Sequence, residues 1–366
     1  MSKKLKILVI VVTNLEYPQG ASRIRPKKII DAFKNTRHKV TVLLHRNKIK
    51  RLFTYVRILF TWYDICYIEP STHILPNKVT KVMKFLKRRK TWISFYYRDS
   101  HWKTDIAKKA FEMQHKEKQK HTWEQKLELY KQDVNFLSNI VDKLYFPSNS
   151  FQSDFCSDLT IRSRKDVLPP GGDILPVNYQ LSNRTGVIYV GGVGKGLYAT
   201  DILLELFDQI NCIESIPLTI ICREGDYNNN TNLFSRYKNK DWCTFLHKDH
   251  NQLINYYSRA KIAVMPLSQS KYMDMCLPFK LYEYLSHNLP VIGFNNFEIQ
   301  SEINNNSLGI VVDGPIEKIS EKVIEYYNSS DVLIKHSRNT QKYIINNSWS
   351  TRVSKIINDH REEIKN

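Results

Sequence analysis

Lys280 and Glu283 stand three residues apart where the sequence marks the start of a helix, a cation and a carboxylate on one face. The run is Pro278-Phe279-Lys280-Leu281-Tyr282-Glu283-Tyr284-Leu285-Ser286-His287-Asn288-Leu289-Pro290-Val291-Ile292-Gly293. Pro278 suits the first helical position, where its missing N–H is no loss. Lys280 then falls in a first turn whose free N–H groups and positive dipole end already favour phosphate. The two oxygens of Glu283 suit the diol of a ribose. Together these groups match a nucleoside diphosphate. A lone Lys/Glu pair at this spacing is more often a solvated surface pair, so the neighbouring segments must decide.

Those neighbours repeat the pattern of strand, loop and helix. In Gly186-Val187-Ile188-Tyr189-Val190-Gly191-Gly192-Val193-Gly194-Lys195-Gly196-Leu197 a strand runs into Gly191 and Gly192 before a helix at Thr200–Gln209. Adjacent glycines let backbone N–H groups approach an anion, and Lys195 is at hand as a counter-charge. A strand at Leu218–Cys222 ends at Arg223, and further strands are expected near Cys243–Leu246, Lys261–Met265 and Val291–Phe294. The ends at Gly191, Arg223 and Pro266 fall on the carboxyl edge of one sheet, where open α/β sheets bind ligands.

The whole chain alternates apolar runs of strand length with amphipathic helical segments, the sign of α/β domains with parallel sheets. Its 366 residues, 42% hydrophobic and 25% charged, fit two globular domains. In the first half, strands are expected at Lys6–Val12, Lys39–Leu44, Ile65–Ile68, Thr91–Tyr97 and Lys143–Phe146, with one long polar helix from about Asp105 to Val141. Within it, Gln114 to Lys131 is charged enough to demand exposure or a place over a cleft. Asp166-Val167-Leu168-Pro169-Pro170-Gly171-Gly172-Asp173 reads as the hinge. The expected divisions are 1–172, 173–345 and a last helix over 346–366. Six scattered cysteines without a C-x-x-C pair fit neither a zinc site nor a secreted disulfide framework, and point to a reducing cytosol. Ile7–Val12 reads as a buried strand rather than a signal peptide, and no apolar run reaches the roughly 20 residues of a membrane span.

Charge divides unevenly. Residues 1–175 hold 35 Lys/Arg against 16 Asp/Glu, and residues 176–366 hold 20 of each. Two stretches interleave basic and apolar residues: His45 to Phe60, and Lys78 to Lys90. In the second, Lys78, Lys81, Lys84 and Lys87 or Arg88 recur at helical spacing with Val79, Val82, Met83 and Leu86 between them, a pattern expected of a helix on an anionic bilayer or of a solvated helix face. No nucleic-acid-binding motif accompanies the charge, so nucleic acid is not an expected partner.

The order Val190-Gly191-Gly192, Leu218–Cys222, Phe245-Leu246-His247-Lys248, Leu253–Ala260, Val264-Met265-Pro266, Pro278–Val291 and Leu308–Asp313 resembles the donor domain of family 4-like (group 1) glycosyltransferases of cell-surface glycan assembly. Val167–Asp173 resembles that family's interdomain segment, Trp349-Ser350-Thr351-Arg352-Val353 the start of its last helix, and Gly20–Arg25 with His38–Leu43 its acceptor domain. The resemblance implies the GT-B architecture: two Rossmann-like α/β domains whose parallel sheets face a central cleft, with the last helix crossing back to the first domain. It also implies that Lys280 contacts the donor pyrophosphate and Glu283 the ribose, with Gly191, Gly192 and Lys195 near the phosphates. Two positions depart from the family pattern. Met275 stands where many members carry a second glutamate, and Val193 follows Gly192 in place of an arginine. Arg223 is a candidate for the missing positive charge, and both retention and inversion stay open.

Sugar transfer by inversion needs a general base within reach of the acceptor hydroxyl. Trp92-Ile93-Ser94-Phe95-Tyr96-Tyr97-Arg98-Asp99-Ser100-His101-Trp102 ends a strand in polar and aromatic groups. Asp99 is the preferred base unless it serves as a helix cap, His101 is its partner or substitute, Trp102 a platform for a sugar ring, and Glu69 a weaker alternative base. No cluster has metal-ligand spacing, so neither a metal nor a tightly bound cofactor is expected. The reading is a cytoplasmic, metal-independent transferase. It would be peripheral on the inner face of the membrane through its basic first domain, and move sugar from a UDP- or GDP-sugar to a lipid-linked saccharide or other glycan acceptor. A non-catalytic GT-B subunit assisting a partner and a sugar-nucleotide epimerase are the alternatives.

Overall fold

The fold follows from apolar strands that need cover on both faces. A computed structural model describes residues 3–13, 15, 21–44, 48–70, 74–112, 122–176 and 183–365. Gly20, residues 45–47 of the first basic stretch and residues 113–121 of the expected long helix lie outside them.

The first compact unit joins Met1–Pro169 to Trp349–Asn366. Its strands are β1 (Lys6–Val11), β2 (Lys39–Leu44), β3 (Ile65–Glu69), β4 (Trp92–Tyr96), β5 (Lys143–Phe146) and β6 (Arg164–Val167). All pair in parallel in the order β2-β1-β3-β4-β5-β6. β3 and β4 are buried along their whole length, as central parallel strands must be. The last helix, Trp349–Lys365, packs on helix Ala21–Lys34. It is tied to the sheet by hydrogen bonds of 2.5 Å from Trp92 Nε1 to Glu363 and from the Tyr145 hydroxyl to Asp359, and by Lys355 to Asp166 at 2.5 Å.

Two sequence expectations change here. The long polar helix is described as two, Asp105–Glu112 and Trp123–Ile140, because Thr122 starts the second with a capping box to Gln125. The lysine-rich helix, Asn77–Arg88, does not hold a free apolar face. Val79, Met83 and Leu86 are buried in the unit's own core, Lys87 pairs with Asp142 and the Lys84 ammonium lies over the Phe136 ring.

The second unit spans Pro170–Ser348. Its strands are β7 (Val187–Val190), β8 (Leu218–Ile221), β9 (Cys243–Leu246), β10 (Ile262–Met265), β11 (Val291–Phe294) and β12 (Gly309–Val312), parallel in the order β12-β11-β10-β7-β8-β9. Helices cover both faces, and two apolar clusters, one built around Phe207 and the other around Leu281, fill the layers between. The strand order runs outward from β7 to β9 and then returns to β7's other side at β10. The gap between the carboxyl ends of β7 and β10 is therefore the topological switch point, where such sheets open a crevice.

Candidate functional site

At that switch point the chain leaves β7 through Gly191 and Gly192, and leaves β10 toward helix Phe279–Ser286. Pro278 sits just outside this helix in an extended conformation, so the helix begins one residue later than the sequence placed it, with Lys280 still in its first turn. Asn288, at φ 57°, turns the chain out of the helix toward β11. Tyr284 fixes the helix against β7: its hydroxyl accepts from the Val190 N–H at 2.8 Å and donates to the Val190 carbonyl at 3.2 Å. The Asp173 N–H donates to Ser286 Oγ at 2.9 Å, anchoring the other end.

The pair itself is held by more than two residues. Lys280 Nζ lies 2.7 Å from Glu283 Oε2, an ion-pair contact that is off the direction of a good hydrogen bond. His250 Nδ1 lies 3.3 Å from Glu283 Oε1, and the Lys280 ammonium also donates to the Tyr257 hydroxyl at 3.4 Å. Burial alone would raise the Glu283 carboxyl, but the charge of Lys280 and the contacts with His250 and Lys280 lower it to about 2. Glu283 is thus an acceptor-only carboxylate at neutral pH. Tyr257, pushed well above the usual phenol range by burial and by Glu283, keeps its proton. His287, its ring 4.5 Å from that of Tyr257, is lowered to about 4 by burial and stays neutral.

Around this pair the other predicted residues fall on the same sheet edge. Gly191 continues β7, its N–H bonded to the Ile221 carbonyl at 3.1 Å. A Cβ on Gly192 would stand 2.4 Å from the Tyr198 ring, and Gly194 at φ +133° adopts a backbone that favours glycine, so this loop is built from small residues by necessity. The loop feeds helix Thr200–Ile213, whose first residue accepts from the Gly194 N–H through its hydroxyl at 3.2 Å. Lys195 is exposed on the loop and Arg223 is exposed at the end of β8. Among the described residues neither side chain forms an ion pair or hydrogen bond. The geometry joins Lys280, Glu283, His250 and Tyr257 directly and sets Gly191, Gly192, Lys195 and Arg223 on the same edge without contact to them.

His250 and Tyr257 are what sequence reasoning missed. His250 lies 33 positions before its partner, in a short turn after β9 capped by Asp249 and Gln252, and a lone histidine carries no spacing signal. Its only clue was its place just beyond a strand end on the ligand-binding edge.

In the first unit Asp99 follows β4 and lines a hollow of about 30 Å³ with Tyr97, Trp102, Tyr130 and Asp133. Burial raises the Asp133 carboxyl to about 6 even though the Leu75 N–H donates to it. Trp102 is not a free sugar platform: it is buried, stacked on Tyr130 with centroids 5.2 Å apart, and donates to the Tyr97 hydroxyl. His101 opens a single 3-10 turn, His101–Lys103, and its side chain lies outside the described residues. Glu69 is committed elsewhere, paired with Arg25 and accepting from the Tyr67 hydroxyl at 2.6 Å. A wider depression of about 410 Å³ beside Asn295, Asp313 and Lys322 contains none of the predicted residues. Among the described residues no group of three or more His, Cys, Asp or Glu is arranged to hold a metal ion. None of the described helices is long and apolar enough to cross a membrane.

Comparison with known proteins agrees with the architecture. Residues 182–347, the segment that carries Lys280 and Glu283, match the family described as Glycosyl transferases group 1. HepE of Anabaena, solved in complex with UDP-glucose, is similar at 12% identity over 98% of this chain and 100% of its own, with a TM-score of 0.65. The sucrose-phosphate synthase of Thermosynechococcus elongatus is similar at 14% identity over 99% and 100%, with a TM-score of 0.65. WaaG, a glycosyltransferase involved in lipopolysaccharide biosynthesis, is similar at 12% identity over 95% and 98%, with a TM-score of 0.59. At these identities the likeness shows the fold, which is GT-B. No curated protein matches the sequence.

Proposed function

We propose a reaction for this glycosyltransferase, whose residues 182–347 match the group 1 family: transfer of a sugar from a UDP- or GDP-sugar to a lipid-linked saccharide or related cell-surface glycan precursor at the cytoplasmic face of the membrane. The observation that carries the donor half is the Lys280–Glu283 pair at the second sheet's switch point. Lys280 leaves Glu283 for the diphosphate and neutralises the charge that grows on it as the glycosidic bond to the sugar breaks. The N-termini of helices Phe279–Ser286 and Thr200–Ile213, with Lys195 and Arg223, add positive potential, so diphosphate departure needs no metal. Glu283, held ionised, accepts both hydroxyls of the ribose. His250 keeps the carboxylate oriented as Lys280 turns to the phosphates.

Asp99 at the end of β4 is the proposed base for the acceptor hydroxyl, with His101 beside it in sequence. The membrane location is supported by the basic first half of the chain, and a glycan acceptor by the fold's likeness to WaaG, a glycosyltransferase involved in lipopolysaccharide biosynthesis. One observation favours a second reading. Met275, where the resemblance leads one to look for a glutamate, suits a subunit that assists a partner without turning over sugar.

A panel of UDP-, GDP- and ADP-sugars, read by the thermal midpoint of the full chain, tests the donor site. Wild type is expected to be stabilised by one nucleotide, and Lys280→Ala and Glu283→Ala each to lose that response while remaining folded. No response to any nucleotide in wild type sinks the transferase reading and favours the assisting subunit.

A further inference from the structure

Helix Lys48–Phe60 turns its apolar residues away from the protein. Ile58 is buried, and Arg51, Thr54 and Tyr55 are half-buried beside it. Ile49, Leu52, Phe53 and Phe60 are 63–83% exposed, and Val56, Leu59 and the following Trp62 are exposed as well. At 3.6 residues per turn the six helical members of this set fall within an arc of roughly 120°, opposite Ile58. The exposed Arg57 stands at one margin of the arc. The Arg89 guanidinium lies over the Trp62 ring at 4.8 Å, adding a cation at the end of the patch. Water-facing surfaces are not built this way, since a contiguous aliphatic and aromatic face costs solvation unless something covers it.

We propose that this face is seated in the interfacial layer of an anionic lipid bilayer. Phe53, Phe60, Trp62 and the aliphatic residues enter the boundary of headgroups and acyl chains, with Arg57 and Arg89 against anionic headgroups. Lipid is favoured over a protein partner by the chemistry of the rim. Arg57 at the margin of an apolar arc and Arg89 at its end, beside aromatic residues, match a negatively charged interface, and the excess positive charge of residues 1–175 adds attraction of the same sign. The proposal rests on the membrane location given above and assigns it to one helix. It replaces the lysine-rich helix Asn77–Arg88, whose apolar residues are spent inside the unit.

Co-sedimentation of the full chain with vesicles tests it, using phosphatidylcholine alone and phosphatidylcholine mixed with phosphatidylglycerol. Wild type is expected to bind the mixed vesicles, to bind neutral ones weakly, and to be partly released by salt. Phe53→Ser/Phe60→Ser touches only exposed side chains and is expected to weaken partitioning about tenfold or more. Arg57→Glu is expected to weaken binding to the mixed vesicles alone. Equal vesicle binding by the Phe53/Phe60 variant, or none by wild type, overturns the proposal. So does a wild-type dimer that the same variant converts to monomer without any vesicle binding, which would give the patch to a second copy of the chain. The nucleotide response measured on the same preparations separates the two readings. A retained response without vesicle binding refutes the helix assignment alone, and vesicle binding without a response refutes the donor site alone.

Discussion

The two sheets each reverse their strand order once, and at each reversal a carboxylate meets a basic side chain. In the first sheet the place is between β1 and β3, where Glu69 ends β3 and Arg25 comes from the helix after β1; Arg25 is 4% exposed and Glu69 is sealed. Its guanidinium also lies 3.4 Å from the centroid of the Tyr96 ring. Burial works against the Arg25 charge, but Glu69 beside it more than compensates and the guanidinium stays firmly protonated. In the second sheet the place is between β7 and β10, and there Lys280 is 25% exposed on a mobile stem while Glu283 lies beneath it. Ion pairing is common to both. Access to the cation is not, and an anionic ligand can compete for Lys280 but not for Arg25. The first pair is a plug, the second a seat.

The largest effect that tests this contrast is on stability. Arg25→Ala leaves a buried carboxylate without its cation, held only by the Tyr67 hydroxyl, and is expected to cost about 3–5 kcal/mol in denaturant unfolding, with Arg25→Met/Glu69→Leu recovering much of it. A loss below about 1 kcal/mol would mean the pair is not sealed.

The next effect is one of pH. The His287 pKa is lowered to about 4 by burial, so the unfolded chain, near the ordinary 6.5, binds its proton first as pH falls. Stability therefore declines between about pH 6.5 and 4, by about 3 kcal/mol, and levels off below. Asp133, raised to about 6, acts with the opposite sign in the first unit, where stability grows as pH falls from about 6 toward 3.8. Chemical denaturation at a series of pH values should show the decline disappear in His287→Gln. An unchanged slope would remove His287 from the account.

The smallest effect sharpens the seat. His250→Ala is expected to weaken nucleotide binding about three- to tenfold, in keeping with the loss of one polar contact to Glu283 worth about 1 kcal/mol, while leaving the unfolding midpoint without nucleotide nearly unchanged. Calorimetric titration of the nucleotide identified above measures it, and an affinity equal to wild type would show that Lys280 alone orients Glu283.

Strands and the helix of Lys280 were legible because buried parallel strands write continuous apolar runs and because proline and asparagine punctuate the helix. His250 was not, since its meaning depends on a contact across 33 positions that spacing does not encode. The two basic helices show the limit most clearly. Helices Lys48–Phe60 and Asn77–Arg88 both mix cations with apolar residues, and the periodicity that identifies an apolar face does not say which way it points. The first shows it to solvent and the second to the core. Trp102 was misread for the same reason: an aromatic residue at a strand end looks the same in sequence whether it awaits a sugar or is stacked on Tyr130.

The first unit's division into two segments sets an order of events during synthesis. β4, β5 and β6 leave the ribosome without Glu363, Asp359 and Lys355, the groups that later engage Trp92, Tyr145 and Asp166. The residues from Pro170 to Ser348 must be made first. At ordinary elongation rates that is a delay of about 10–35 s. For that interval the nascent unit is a basic, unfinished sheet with no partner for its indole and phenol.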